Sequence, residues 1–522
     1  DNNGDTALQL AVTNRHIEAT QTLLSHGADD TILNKQSDAP LHIAARNDHG
    51  TMVAAMLGYP INVTVSGFRN RTPLHVAAEN DSIEVLKVLH NHIANNSSCF
   101  RLCAKDEDDL TPIHLAARKG SHRVLQCMMD WCKDHGYTPD KVLSFLDEEN
   151  NTPLHTAVDG GHDEVVRVLL TNGASATESR IDQVPPIHLA CSQGKLKMVE
   201  LMVQFGGVDV VACKDAFGQT PLHSSTLPPS PAVLCYLINT GAQLNVCNNQ
   251  GQTPLITATL SGNLNAVKTL LKSGADPLIK DRHEDNALHY AVQRSRKAIA
   301  TCLLDHPAAS QMMIQTNHTG SSPVHCALRQ GSSDLVSQML RSLEGTLYEH
   351  RDSQQCNYLH LAALGGDWKT LTAILGTPIS PTLLNETNVV GSTPLHLAAY
   401  GGHQRCVEIL LSHGAMTHKC SCGLTPFMLA CARGHAECAR VLHDAHPFQK
   451  NWTNDEGNNA LHLAALAGSA ACISLALSIG VPIPCNHKQD SFFDIIIDRV
   501  DSESALAVVQ HDRWSECLQF KS

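Results

Sequence analysis

The chain has 522 residues, with 43% hydrophobic and only 4% aromatic side chains, and carries a formal net charge of −13. That length accommodates several domains or one extended array, and the scarcity of aromatics argues against one large core and for thin layers of close-packed helices. The negative balance, with no basic stripe, argues against a nucleic-acid surface, which needs clustered Lys and Arg.

In chain order, one short pattern recurs. It begins at Thr6, Ala39, Thr72, Thr111, Thr152, Pro185, Thr220, Thr253, Asn286, Ser322, Asn357, Thr393, Thr425 and Asn459. It reads Thr-Pro-Leu-His in full at 72–75, 152–155, 220–223 and 393–396, and a degenerate copy, Ser491-Phe492-Phe493-Asp494, closes the series. Neighbouring starts lie 32 to 41 residues apart, with 33 the commonest spacing. Such a tetrapeptide at this period resembles the ankyrin repeat. The predicted class is therefore all-α: a solenoid of stacked helix-turn-helix units with projecting hairpin loops. The predicted array covers 1–490; the degenerate last repeat and the start of a linker cover 491–522.

Each part of the unit has a physical reason, as the repeat at Thr393 illustrates. Thr393 can cap a helix, and Pro394 suits the first helical position, where an N–H would have no intrahelical partner. Leu395, Leu397, Ala398 and Ala399 give an apolar face with small side chains. Gly401-Gly402 ends the first helix, and Val407, Ile409, Leu410 and Leu411 line a second that Gly414 stops. The polar stretch beyond forms the hairpin. Because each unit packs only on its neighbours, a continuous array would act as a curved, quasi-one-dimensional spring.

Two intervals carry extra residues, around 91–108 and 131–148, expected as helix or loop extensions suited to a contact. Pro228-Pro229-Ser230-Pro231 is expected to stiffen a helix-to-helix turn and shorten a flanking helix.

The 19 cysteines lie singly, as at Cys191, Cys235, Cys302, Cys406, Cys431 and Cys472. This fits small buried hydrophobes in a reducing compartment better than a disulfide framework. Asn-x-Ser/Thr triplets at Asn62, Asn95, Asn96, Asn317, Asn385 and Asn451 lack a signal peptide and are read as unglycosylated. The first residue is Asp1, so a longer parent chain is expected. No run reaches 18 apolar residues, the minimum for a membrane span.

The 31 histidines are assigned mostly to the fourth place of the tetrapeptide, as with His75, His114, His155, His188, His223, His360 and His396. There they should hydrogen-bond near a helix start and tie one repeat to the next. The sharpest metal candidate is His418-Lys419-Cys420-Ser421-Cys422 with His413 nearby. Its Cys-x-Cys is tighter than structural zinc spacing, and it falls where a repeat loop belongs. Asp106-Glu107-Asp108-Asp109 could invite Ca²⁺ but lacks the glycine and distal glutamate of an EF-hand loop. There is no P-loop, nucleophile elbow or kinase signature. Neither catalytic residues nor a cofactor are expected.

Beyond the last repeat, Ser491-Phe492-Phe493-Asp494-Ile495-Ile496 and Arg513-Trp514-Ser515-Glu516-Cys517-Leu518 resemble the junction that follows the array in transient receptor potential ankyrin (TRPA) channels. The resemblance implies the cytoplasmic region of a homotetrameric, calcium-permeable cation channel of the plasma membrane, gated by noxious chemical or thermal stimuli. Its partners would be the other subunits and cytosolic regulatory proteins. Its only tie to the membrane would run through segments following the chain. Phe492, Phe493, Arg513, Trp514 and Cys517 are then the candidates for coupling array to gate, with Cys517 a structural thiol beside Trp514. A soluble ankyrin scaffold, or the regulatory array of a multidomain enzyme, stays open as an alternative.

Overall fold

A computed structural model describes residues 1–94, 102–134, 138–178, 184–227, 231–342, 350–376, 381–498 and 502–509. Every described element is a helix or a turn of 3₁₀. The chain divides into two compact units, Asp1–Ala275 and Asp276–Ser522. The first holds the repeats beginning at Thr6 to Thr253, here numbered 1–8; the second holds those beginning at Asn286 to Ser491, numbered 9–15.

Within each unit, the tetrapeptide opens the first helix of every repeat. The pattern's first residue is the extended N-cap and its second residue begins the helix, as in Pro112–Lys119, Pro153–Gly160 and Pro394–Gly401. First helices stack on first helices and second on second. The core is thin and aliphatic: Leu395, Ala398 and Ala399 of one helix are buried with Cys406, Val407 and Leu410 of the next. Gly402, at φ 73°, ends the first helix of repeat 12 in the left-handed conformation. A Cβ there would stand 2.6 Å from the His435 ring, so both backbone angle and space demand glycine.

The expected extensions begin as longer helices; residues 95–101 and 135–137 within them lie outside the described residues. The second helices of repeats 3 and 4 run Ile83–Ala94 and His122–Asp134, 12 and 13 residues, against nine in Asp163–Thr171 and Gln404–Ser412. An added helix, Pro139–Leu143, follows. They serve packing: Trp131, Cys132, Val142 and Leu143 are buried, and the Trp131 ring lies 4.8 Å from His90 between centroids. The proline run does shorten a neighbour, since the first helix of repeat 7 is only Pro221–Ser224. Pro228, Pro229 and Ser230 lie outside the described residues.

The degenerate copy at Ser491 forms a real repeat. Phe492–Asp498 and Ser502–Val509 pack on the two helices of repeat 14. Asp494 takes the histidine's place in the cap, accepting from the Ser491 N–H at 3.0 Å and hydroxyl at 2.6 Å. No described helix is long and apolar enough to cross a membrane.

Candidate interaction surface

Three rows of side chains run from repeat to repeat and decide which surface each unit presents. The first is the tetrapeptide histidine. In repeat 12 the Thr393 N–H donates to His396 Nδ1 at 3.1 Å, and the Thr393 hydroxyl lies 2.8 Å from the same nitrogen. The opposite edge, Nε2, donates to Leu424 O at 3.2 Å. Leu424 immediately precedes the next tetrapeptide. The same bond joins His75 to Leu110, His114 to Asn151, His223 to Gln252 and His360 to Ser392, at 3.0–3.1 Å. With Nδ1 accepting a backbone N–H, the neutral Nε2–H form is the one this site holds. Burial pushes His75, His114, His223, His325, His360 and His396 down to about 4, outweighing the next repeat's carbonyl where one accepts from Nε2.

Departures from the row have local causes. Gln9 stands in for histidine in repeat 1 and still donates to Asp38 O at 2.8 Å. In repeat 10, His325 Nε2 finds no partner among the described residues. Its ring instead meets Tyr358, which occupies the usual proline position, at 4.7 Å between centroids.

The second row is the hairpin tips. An Asp or Asn five residues before the tetrapeptide folds most of the described tips by accepting two backbone N–H groups; Gly67 and Cys420 stand there before Thr72 and Thr425. Asp215 Oδ1 takes those of Phe217 and Gln219 at 2.9 and 2.7 Å. Asn388 Oδ1 takes those of Val390 and Ser392 at 3.1 and 2.9 Å. Asp106 is such a residue, accepting from Asp108 and Leu110 at 3.0 and 2.9 Å while its other oxygen meets Arg71 Nε at 3.1 Å. Its carboxylate builds the loop. Successive tips are joined by one backbone bond, as from Val389 N–H to Gln354 O at 3.1 Å. Phe68, Phe217, Val389 and Val390 project from tips into solvent.

The third row lies at the turn between the two helices of each repeat, and the sequence reading missed it. The tetrapeptide accounts for only 11 of the 31 histidines. His162, His403 and His435 instead sit ten residues after the tetrapeptide start. Their Nε2 atoms donate back to Arg118 O, Leu364 O and Tyr400 O at 3.0, 3.0 and 3.2 Å. Lys195 and Asn263 fill the same place, bonding Asp159 O and Thr226 O at 3.0 Å each. The signal was present as a Gly-His pair at a fixed offset.

Charge and aromatic character vary along these rows. Around repeats 2–4 the cations meet carboxylates: Arg46 with Asp38, Arg69 with Asp108 (2.5 Å), Arg71 with Glu79 (2.8 Å) and Asp106 (3.1 Å). Nearby, Asp108, Asp147, Glu148, Glu149 and Asp159 line a groove of about 490 Å³ with Arg118 and His155. In repeats 11–13 two cations meet rings instead: the Arg405 guanidinium lies 5.1 Å from the Trp368 centroid and Arg433 4.0 Å from that of Tyr400.

The sequence-predicted candidates fall as follows. Cys420 is half-buried at the tip position that Asp or Asn fills in most other repeats, and Cys422 is exposed. The exposed His418 Nε2 lies 3.1 Å from Met416 Sδ. Among the described residues no group of three or more His, Cys, Asp or Glu is placed to hold a metal ion. Phe492 is buried and Phe493 half-buried, their rings edge-on at 6.5 Å. Arg513, Trp514 and Cys517 lie outside the described residues. Cys191, Cys406, Cys431 and Cys472 are buried as expected, but Cys235 is exposed and Cys302 half-buried. Both ride on second helices, where sequence position alone does not mark the inward face. Burial holds the Cys406 thiol up at about 12 and Cys438 at about 11.

Comparison with known proteins matches the model "Ankyrin repeats (3 copies)" at 1–66, 30–99, 95–180, 227–315, 309–416, 359–447 and 415–489, and "Ankyrin repeat" at 183–216. The chain is 31% identical to the transient receptor potential cation channel subfamily A member 1 of Drosophila melanogaster, over 79% of this chain and 35% of that one. It is 32% identical to the Homo sapiens protein of the same description, over 80% and 38%. It is also 32% identical to ankyrin repeat protein nuc-2 of Neurospora crassa, over 34% and 16%. The chain thus spans little more than a third of the length of the two channel relatives.

Proposed function

Because the chain belongs to the ankyrin-repeat family, with an array of the TRPA kind, we propose that it is the cytoplasmic region of a calcium-permeable, non-selective cation channel of the plasma membrane. The channel responds to noxious chemical or thermal stimuli, and the array acts in subunit assembly, regulation and transmission to the gate. The observation carrying this is the likeness to the fly and human channels across about four-fifths of the chain; the nuc-2 likeness stops at about a third. The array binds and transmits; it catalyses nothing.

Within that function, residues 491–518 are the coupling segment. Its first part, Phe492–Asp498, is docked by the buried Phe492 onto repeat 14. Strain in the array therefore has a packed route into whatever follows. Four copies of the chain, each bringing one such segment, make a homotetramer; cytosolic regulatory proteins meet the array.

The test is made in the intact channel expressed in cells. Stimulus-evoked calcium influx should be present in the wild type and impaired, at equal surface expression, by Phe493→Ala and Trp514→Ala. Absence of any stimulus-evoked influx from the wild type would sink the channel reading. Wild-type currents in both variants would sink only the coupling role.

A further inference from the structure

Trp368, Tyr400 and Leu364 are the large apolar side chains at the helix turns of repeats 11 and 12, and each is exposed, at 37, 40 and 38%. Trp368 opens the second helix of repeat 11, and Arg405, the second residue of the corresponding helix in repeat 12, lies over its ring. Tyr400 lies in the last turn of the first helix of repeat 12, and Arg433, capping that of repeat 13, lies over its ring and donates to its hydroxyl. Two aromatic rings are thus each capped by a guanidinium from the following repeat.

A ring satisfies an arginine differently from a carboxylate. It contacts the flat face, cancels no charge, and leaves the N–H donors around the edge aimed outward. Neither Arg405 nor Arg433 forms an ion pair among the described residues. Arginines on the hairpin side of the same unit do: Arg329 with Asp352 at 2.5 Å and Arg351 with Glu386 at 2.7 Å. Two guanidiniums held over rings beside exposed apolar surface, with no carboxylate paired to either among the described residues, are complementary to anionic groups. Such a surface makes sense if the compensating charge comes from outside.

We propose that the stripe Leu364–Trp368–Tyr400–Arg405–Arg433 is a docking site for an acidic, extended polypeptide segment. One carboxylate pairs with each guanidinium, and an apolar side chain between them lies against Tyr400 and Leu364. Stacked helices stand about 8–10 Å apart, and an extended chain of polyproline type advances about 3.1 Å per residue with three residues per turn. Carboxylates three residues apart therefore face the same way at about the right separation. An anionic membrane surface is disfavoured, since two arginines fall short of the clusters of about four to eight Lys or Arg that draw a chain to anionic lipid.

The test uses the 522-residue chain and an array of nine-residue peptides. Each peptide has two glutamates at every spacing from two to six around a leucine, with glutamine-substituted counterparts. Binding should peak at a spacing of three and vanish in the glutamine peptides. It should weaken about tenfold in Arg405→Gln or Arg433→Gln at unchanged thermal stability, while Lys87→Gln changes nothing. No preference for glutamate over glutamine, no optimum at three, or undiminished binding in both arginine variants overturns the proposal. So does arginine-dependent binding to phosphatidylserine vesicles without peptide binding. None of these outcomes bears on channel activity, so this proposal and the proposed function fail separately.

Discussion

Arg71 and Arg405 are both held in place by neighbouring repeats, yet they leave opposite surfaces behind. Arg71 is mostly buried and shared between Glu79 and the fully buried carboxylate of Asp106. Its charge is consumed by the fold, and removing it strands a buried carboxylate. Arg405 lies over the exposed Trp368 ring with no carboxylate partner among the described residues. Its geometry is fixed and its charge is still available. The same repeat scaffold thus makes one region electrostatically closed and another open.

The widest challenge to this contrast is acid, because both regions share the histidine row. Each of six imidazoles is held near 4, below the ordinary histidine value of about 6.5. Between those values the unfolded chain binds the extra proton, so stability is complete above about pH 6.5 and is lost as pH falls toward 4. At pH 5 the loss is about 2 kcal/mol per imidazole. Urea midpoints at pH 7.5 and 5 should differ strongly and for both units. A shift confined to one unit would show that the row is not common to them.

Next in size is deletion within the row. His114→Ala and His360→Ala each remove a cap bond and an inter-repeat bond and leave buried donors unmet, costing about 3 kcal/mol apiece. Equal losses by hydrogen exchange in the two units would confine the contrast to the surface. Arg71→Met comes third: it should cost about 2 kcal/mol by stranding Asp106, whereas Arg405→Met should cost under about 0.5 kcal/mol. Comparable losses from both would erase the distinction. The smallest effect is that of salt: raising it to 1 M should weaken the half-exposed Arg69–Asp108 pair by about 0.5 kcal/mol or less. It should leave the stacked Arg405 unmoved, as seen by Trp368 fluorescence.

The fold was legible because its signals are local. A capping residue, a helix-starting proline and a histidine three places on specify a helix start wherever they fall, and the tetrapeptide marks all the first helices, including the degenerate one at Ser491. Loop chemistry is nearly as local: Asp106 reads as acidic in sequence, yet the two backbone N–H groups it accepts belong to its own turn. The surface was not legible. Trp368 and Arg405 lie 37 residues apart, and nothing in either neighbourhood announces the other; His403 and His435 were overlooked because the Gly-His pair looks like a mere helix stop.

What the sequence by itself determined, then, is the period, the helix starts and the all-α stack, since each follows from contacts made within a few residues. What only the tertiary structure decided is which charges are spent. That depends on stacking, which brings residues one repeat apart to within a few ångströms, and on whether the neighbour delivered there is a carboxylate, as for Arg71, or an aromatic ring, as for Arg405.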